Sequence, residues 1–113
     1  MRWPNWQHRH QFNDFYINRF APEEGGVFYI FVDNPRYDTC TDILYVGYSD
    51  NIKKALLELY KGNSDKCVHA NLKDGIRLMF SYMRAVNPER FFNQIMTSYY
   101  AKCDDHPLCM RGK

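Results

Sequence analysis

The stretch Gly26-Val27-Phe28-Tyr29-Ile30-Phe31-Val32, followed after a polar interval by Ile43-Leu44-Tyr45-Val46-Gly47, decides the fold. Val27 to Val32 is short, β-branched and aromatic, which reads as a buried strand. Ile43 to Val46 reads as a second strand, ended by Gly47. The interval between them, about ten residues opened by Asp33-Asn34-Pro35, is longer than a tight hairpin but suits an antiparallel pair.

Working outward, Ser49 or Asp50 can cap a helix from about Asn51 to Tyr60. Ile52, Leu56 and Leu59 share one face of it, and Lys61-Gly62-Asn63 stops it. Residues 63–75 are mostly polar, with Val68 and Leu72 as anchors. Ile76, Leu78, Phe80 and Tyr82 alternate with Arg77, Met79, Ser81 and Met83, the pattern of a strand with one face buried. Asn87 then caps a last helix with Pro88 in its first turn, and Phe92, Ile95, Met96 and Tyr99 form its apolar stripe. On the N-terminal side, residues 5–20 read as a helix behind Asn5, with Phe12, Phe15, Tyr16 and Phe20 on one face. Pro22 and Gly25-Gly26 break it. From Cys103 the chain is polar and reads as irregular. The order α-β-β-α-β-α implies one α/β domain: a three-stranded, mostly antiparallel sheet flanked by helices. Residues 1–22 form an N-terminal helical extension, 26–100 the core and 103–113 a tail.

The chain has 113 residues, 45% hydrophobic and 17% aromatic, enough apolar material for one well-packed core. A net charge of +2 does not by itself argue for nucleic acid. The N-terminal stretch lacks an apolar signal region, and no run of about 18 apolar residues could span a membrane. These features suggest a cytoplasmic protein with four reduced cysteines.

The segments Gly26-Val27-Phe28-Tyr29-Ile30 and Leu44-Tyr45-Val46-Gly47 resemble the two signature strands of the GIY-YIG nuclease superfamily. Tyr48-Ser49-Asp50-Asn51-Ile52-Lys53-Lys54 is similar to the family's small-residue turn and entry into a helix. The resemblance covers residues 26 to about 100. It implies a sheet that sets two tyrosines near a scissile phosphate, a helix arginine that stabilises phosphoryl charge, and a glutamate on the last helix that holds a divalent metal.

Residue by residue, most of that machinery is missing. The first motif tyrosine falls on Phe28, with Tyr29 next to it but on the opposite strand face. The second motif tyrosine is present as Tyr45. The arginine falls on Ala55, and the metal glutamate on Asn93 or, one residue earlier, Phe92. The resemblance therefore implies a degenerate, non-catalytic binding module that needs no cofactor and engages a protein or a nucleic acid. A small phage or mobile-element factor working in a host cytoplasm would fit. The alternative is a magnesium-dependent endonuclease using Tyr29, Tyr45, Lys54 and Glu89.

The expected binding residues are Trp3, Trp6, Arg9, Tyr45, Tyr48, Lys53, Lys54 and Arg77. Trp3, Trp6 and Arg9 belong to an aromatic-basic stretch suited to base stacking or to anchoring a protein, or equally to covering the sheet edge. Cys103, His106 and Cys109, with Cys67 earlier, could provide a zinc site. Free thiols are the favoured reading over zinc, and a Cys103–Cys109 disulfide is open only in an oxidising compartment. No nucleophile elbow, triad or glycine-rich phosphate loop is present.

Overall fold

The structure, a computed structural model, describes residues 9–33 and 39–111. It is an α/β domain. In chain order the elements are β1 (His10–Gln11), α1 (Asp14–Phe20), β2 (Gly26–Val32), α2 (Thr39–Asp42), β3 (Ile43–Ser49), α3 (Ile52–Lys61), α4 (Lys66–Lys73), β4 (Leu78–Arg84) and α5 (Pro88–Cys103). A 3-10 turn follows at Leu108–Met110. Among the described residues the sheet has four strands in the order β1-β4-β2-β3, and every pairing is antiparallel. The expected three strands are therefore joined by a fourth, the two-residue β1.

β2 lies at the centre because it can be buried on both faces. Phe28 and Ile30 face one core with Leu56, Leu59, Val68 and Phe80. Val27, Tyr29 and Phe31 face a second core with Val46, Ile95 and Tyr99. Helices α3 and α4 thus cover one face and α5 the other. β4 is likewise buried on both sides, with Met79 and Ser81 almost fully enclosed. The single buried face expected for this strand is corrected by α5, which covers the Met79 side. Ile76, expected to start the strand, lies before it and is exposed.

Local chemistry sets the helix ends. The Asn51 side chain accepts from the Lys54 amide at 3.1 Å, and Gly62 closes α3 at a φ of 82°. The cap is one or two residues later than Ser49 or Asp50. Asn87 accepts from the Arg90 amide at 3.2 Å, with Pro88 in the first turn, so α5 starts where its sequence signals place it. The polar segment 63–75 contains α4, started by Asp65, whose carboxylate accepts from the Cys67 and Val68 amides.

The helix expected over 5–20 is confined, among the described residues, to Asp14–Phe20. Asn13 caps it by accepting from the Tyr16 amide at 2.9 Å, and the Phe12 amide instead donates to the Leu78 carbonyl. Phe12 and Ile17 are buried, whereas Phe15 is 63% exposed, so Phe15 does not belong to the packed stripe.

The cysteines depart furthest from expectation. Cys40 pairs with Cys103 and Cys67 with Cys109, each with a Cα–Cα separation of 5.4 Å. No cysteine is left free, and the Cys103–Cys109 pairing is not the one formed. The segment after Cys103 is consequently not a loose tail, and Pro107 and Cys109 are buried.

Candidate functional site

The paired strands β2 and β3 place the two motifs side by side. Phe28 lies opposite Gly47 and Ile30 opposite Tyr45. A bulge between Ile30 and Phe31 lets Phe31 pair with Ile43, leaving Leu44 as the extra residue. Leu44 and Tyr45 therefore both pack on the α3 side, and Val46 returns to the α5 side. Tyr45 faces the side that carries Phe28 because it pairs with Ile30, and the bulge beyond it turns Leu44 to the same side. The two rings stack with centroids 6.3 Å apart.

Gly47 is required by this arrangement. A Cβ on it would run into the Phe28 ring, and it would also lie 3.0 Å from the Tyr45 ring. Only a residue with no side chain lets Phe28 lie across β3 at this point. Ala55 of α3 packs against the same core as Phe28 and Tyr45. The α3 face of the motif strands is thus filled by a phenyl ring, one phenol and a methyl group.

Helix α3 begins beside these strands, where an anion would seek its amides. Those amides are already used. The Ile52 amide donates to the Glu24 carbonyl at 2.9 Å, that of Lys53 to the Pro22 carbonyl at 3.0 Å, and that of Lys54 to the Asn51 side chain. The segment 22–24 folds over the helix start and leaves no donor of the first turn for a phosphate.

The other proposed catalytic groups sit elsewhere. Tyr29 faces α5, is fully buried, and donates its hydroxyl to Met83 Sδ at 3.5 Å. Burial pushes its phenol well above the ordinary tyrosine range. The sheet separates Tyr29 from Tyr45. Glu89 and Asn93 line an open groove of about 740 Å³ with Gln94 and Thr97 on the outer side of α5. Phe92 turns inward and meets Tyr48 at 4.9 Å. Lys54 is exposed at the start of α3. The set Tyr29, Tyr45, Lys54 and Glu89 does not converge on one point.

The expected binding residues are also dispersed. Trp3 and Trp6 lie outside the described residues. Arg9 precedes β1, and Lys53 and Lys54 open α3 near the Gly26 end of β2. Arg77 pairs with Asp33 at 3.2 Å, at the opposite end, where Val32 meets Leu78. Tyr45 and Tyr48 point to opposite faces. The sulfurs of Cys67, Cys103 and Cys109 are joined in disulfides, which corrects the expectation of free thiols. His106 sits by Tyr100, with ring centroids 5.4 Å apart.

A cluster that the sequence pattern did not single out surrounds α1. His10 stacks on Phe20 at 4.2 Å, and Tyr16 stacks on Phe20 at 6.0 Å. The Arg19 guanidinium lies over Phe20, that of Arg84 lies over Tyr82, and Tyr82 donates its hydroxyl to the Phe20 carbonyl. Arg84 also pairs with Glu24, whose hydrogen bond and charge hold the guanidinium above its ordinary value. The sequence signal was the recurrence of aromatics over residues 12–20, read there as a buried stripe.

No helix among the described residues is long and apolar enough to cross a membrane. Compared with known protein families, curated proteins and solved structures, the chain matches none of them.

Proposed function

We propose that this domain is a degenerate, GIY-YIG-like binding module that does not cleave nucleic acid and whose ligand is a protein. The observation that carries this reading is the filled start of α3. At the start of α3, where a helix favours an anion, the first-turn amides are bonded to segment 22–24 and to Asn51. Phe28 and Ala55 offer no polar group there, although the phenols of Tyr16, Tyr45, Tyr60 and Tyr82 pack against the same core. The separation of Tyr29 and Glu89 from Tyr45 supports the same reading, because phosphoryl transfer needs its groups around one reacting atom. The dispersed lysines and arginines disfavour a continuous track for a nucleic-acid backbone. Exposed aromatics such as Phe15 and Tyr48 suit a protein partner. The paired cysteines favour an oxidising compartment over the cytoplasm that the sequence suggested.

The test is a gel assay with labelled single- and double-stranded DNA and RNA, at low and moderate salt, with and without magnesium or manganese. The reading expects neither cutting nor a shift. A salt-sensitive shift without cutting would make nucleic acid the ligand. Metal-dependent cutting would overturn the non-catalytic reading.

A further inference from the structure

We propose that residues 103–111 form a disulfide-held strap over the outer edge of β3, and that reduction of the two disulfides releases it. This inference does not depend on the proposed function. Among the described residues, β3 has β2 on one side and no strand on the other. Such an edge carries backbone donors and acceptors that invite another strand. Here the 3-10 turn Leu108–Met110 packs along β3, and the Val46 amide donates outward to Met110 Sδ at 3.4 Å.

The strap crosses the edge with one foot in each core. Cys109, 2% exposed, belongs to the α3–α4 core, while Met110 packs against the α5 core. Within the strap, Arg111 Nε donates to the His106 carbonyl at 2.9 Å and pairs with Asp105 at 3.3 Å, so the segment braces itself. Its attachment to the domain is covalent at both ends. Cys103 is tied to Cys40 just before β3, and Cys109 to Cys67 in the first turn of α4. The hydrogen bond into the edge ends on a thioether, which is a weak acceptor. Closure therefore depends on the disulfides.

Release needs a dithiol reductant. Its thiolate attacks one sulfur of the bridge and forms a mixed disulfide, and its second thiol then displaces the protein sulfur. Each bridge takes up two electrons and two protons, leaving two protein thiols and one oxidised reductant. Cys40, Cys67 and Cys103 are only half-buried, so each bridge has at least one partner residue at the surface. The released strap would leave the Val46 amide open to an added strand.

Amide hydrogen exchange on the intact chain, oxidised and then reduced with dithiothreitol, tests this. Complete reduction is expected to speed exchange at Val46 by about tenfold or more, while Tyr29 and Ile30 in the central strand change by less than about twofold. Met110→Ala with both disulfides intact is expected to give a smaller rise at Val46 alone. An unchanged Val46 after complete reduction would overturn the proposal. Equal acceleration of Val46 and the central strand would also overturn it, because the bridges would then hold the whole domain rather than a strap.

Discussion

The two faces of the sheet are made by the same strands but differ in what they enclose. On the α3 side, Phe28, Tyr45 and Ala55 pack against one core, and a glycine makes room for the phenyl ring. On the α5 side, Tyr29 is sealed among aliphatic and aromatic neighbours with a thioether as its partner. Of the two adjacent-strand tyrosines, Tyr45 is half-buried on the α3 side and Tyr29 is sealed in the other core. The difference shows that counting tyrosines in a motif says little until each is placed on a face.

The largest expected effects test whether both faces are true cores. Leu56→Ala on α3 and Ile95→Ala on α5 remove side chains that are fully buried, and each should cost about 2–5 kcal/mol in denaturant unfolding. Because the sheet separates the two sites, the double variant should show the sum of the two losses to within about 0.5 kcal/mol. A small loss for Ile95→Ala alone would mean that α5 does not cover its face.

Next in size is the fit of Phe28 over Gly47. Gly47→Ala should cost about 1–3 kcal/mol, since its methyl meets the ring. Phe28→Leu in the same chain should recover part of that loss, measured by thermal unfolding. No recovery would break the claimed contact between the motifs.

The helix starts come third. Asn51→Ala should destabilise the domain by about 1 kcal/mol and Asn87→Ala by a similar amount, because each removes an acceptor from its first turn. Circular dichroism melts of the two variants would compare them directly.

The smallest effect belongs to Tyr29. Tyr29→Phe gives up only a hydroxyl bonded to sulfur and should change stability at pH 7 by less than about 1 kcal/mol. Burial raises the phenol's pKa in the folded state, so its contribution is fully present below the unfolded value of about 10. As pH rises above that value, the unfolded state loses its proton first and stability falls by up to about 1.4 kcal/mol per pH unit. Tyr29→Phe should flatten that alkaline loss in urea titrations between pH 9 and 11.

The strands and helices that position the motifs were legible because their signals are local. A β-branched run gives β2, an apolar face with a glycine stop gives α3, and Asn87-Pro88 starts α5. Features that depend on distant partners were not legible. The bulge at Leu44 is set by its pairing with β2, and it decides which face Leu44 joins. β4 showed an alternation of apolar and mixed residues, but α5 buries the Met79 and Ser81 side as well. Helix α4 has one fully buried residue, Val68, so it carries little periodic signal. Phe12 and Phe15 fit a helical spacing, yet one belongs to the exit of β1 and the other faces solvent. The cysteine pairs join residues 63 and 42 positions apart, a proximity that only the folded chain creates.

The central claim, that the α3 face of the motif strands has lost phosphoryl-transfer chemistry, is tested most directly by single-turnover incubation of excess protein with labelled DNA and RNA in magnesium or manganese. Wild type, Tyr45→Phe and Glu89→Gln would be followed side by side. The account predicts that all three leave the substrates intact to the same extent as buffer. Metal-dependent cleavage by the wild type that Tyr45→Phe and Glu89→Gln both abolish would contradict it.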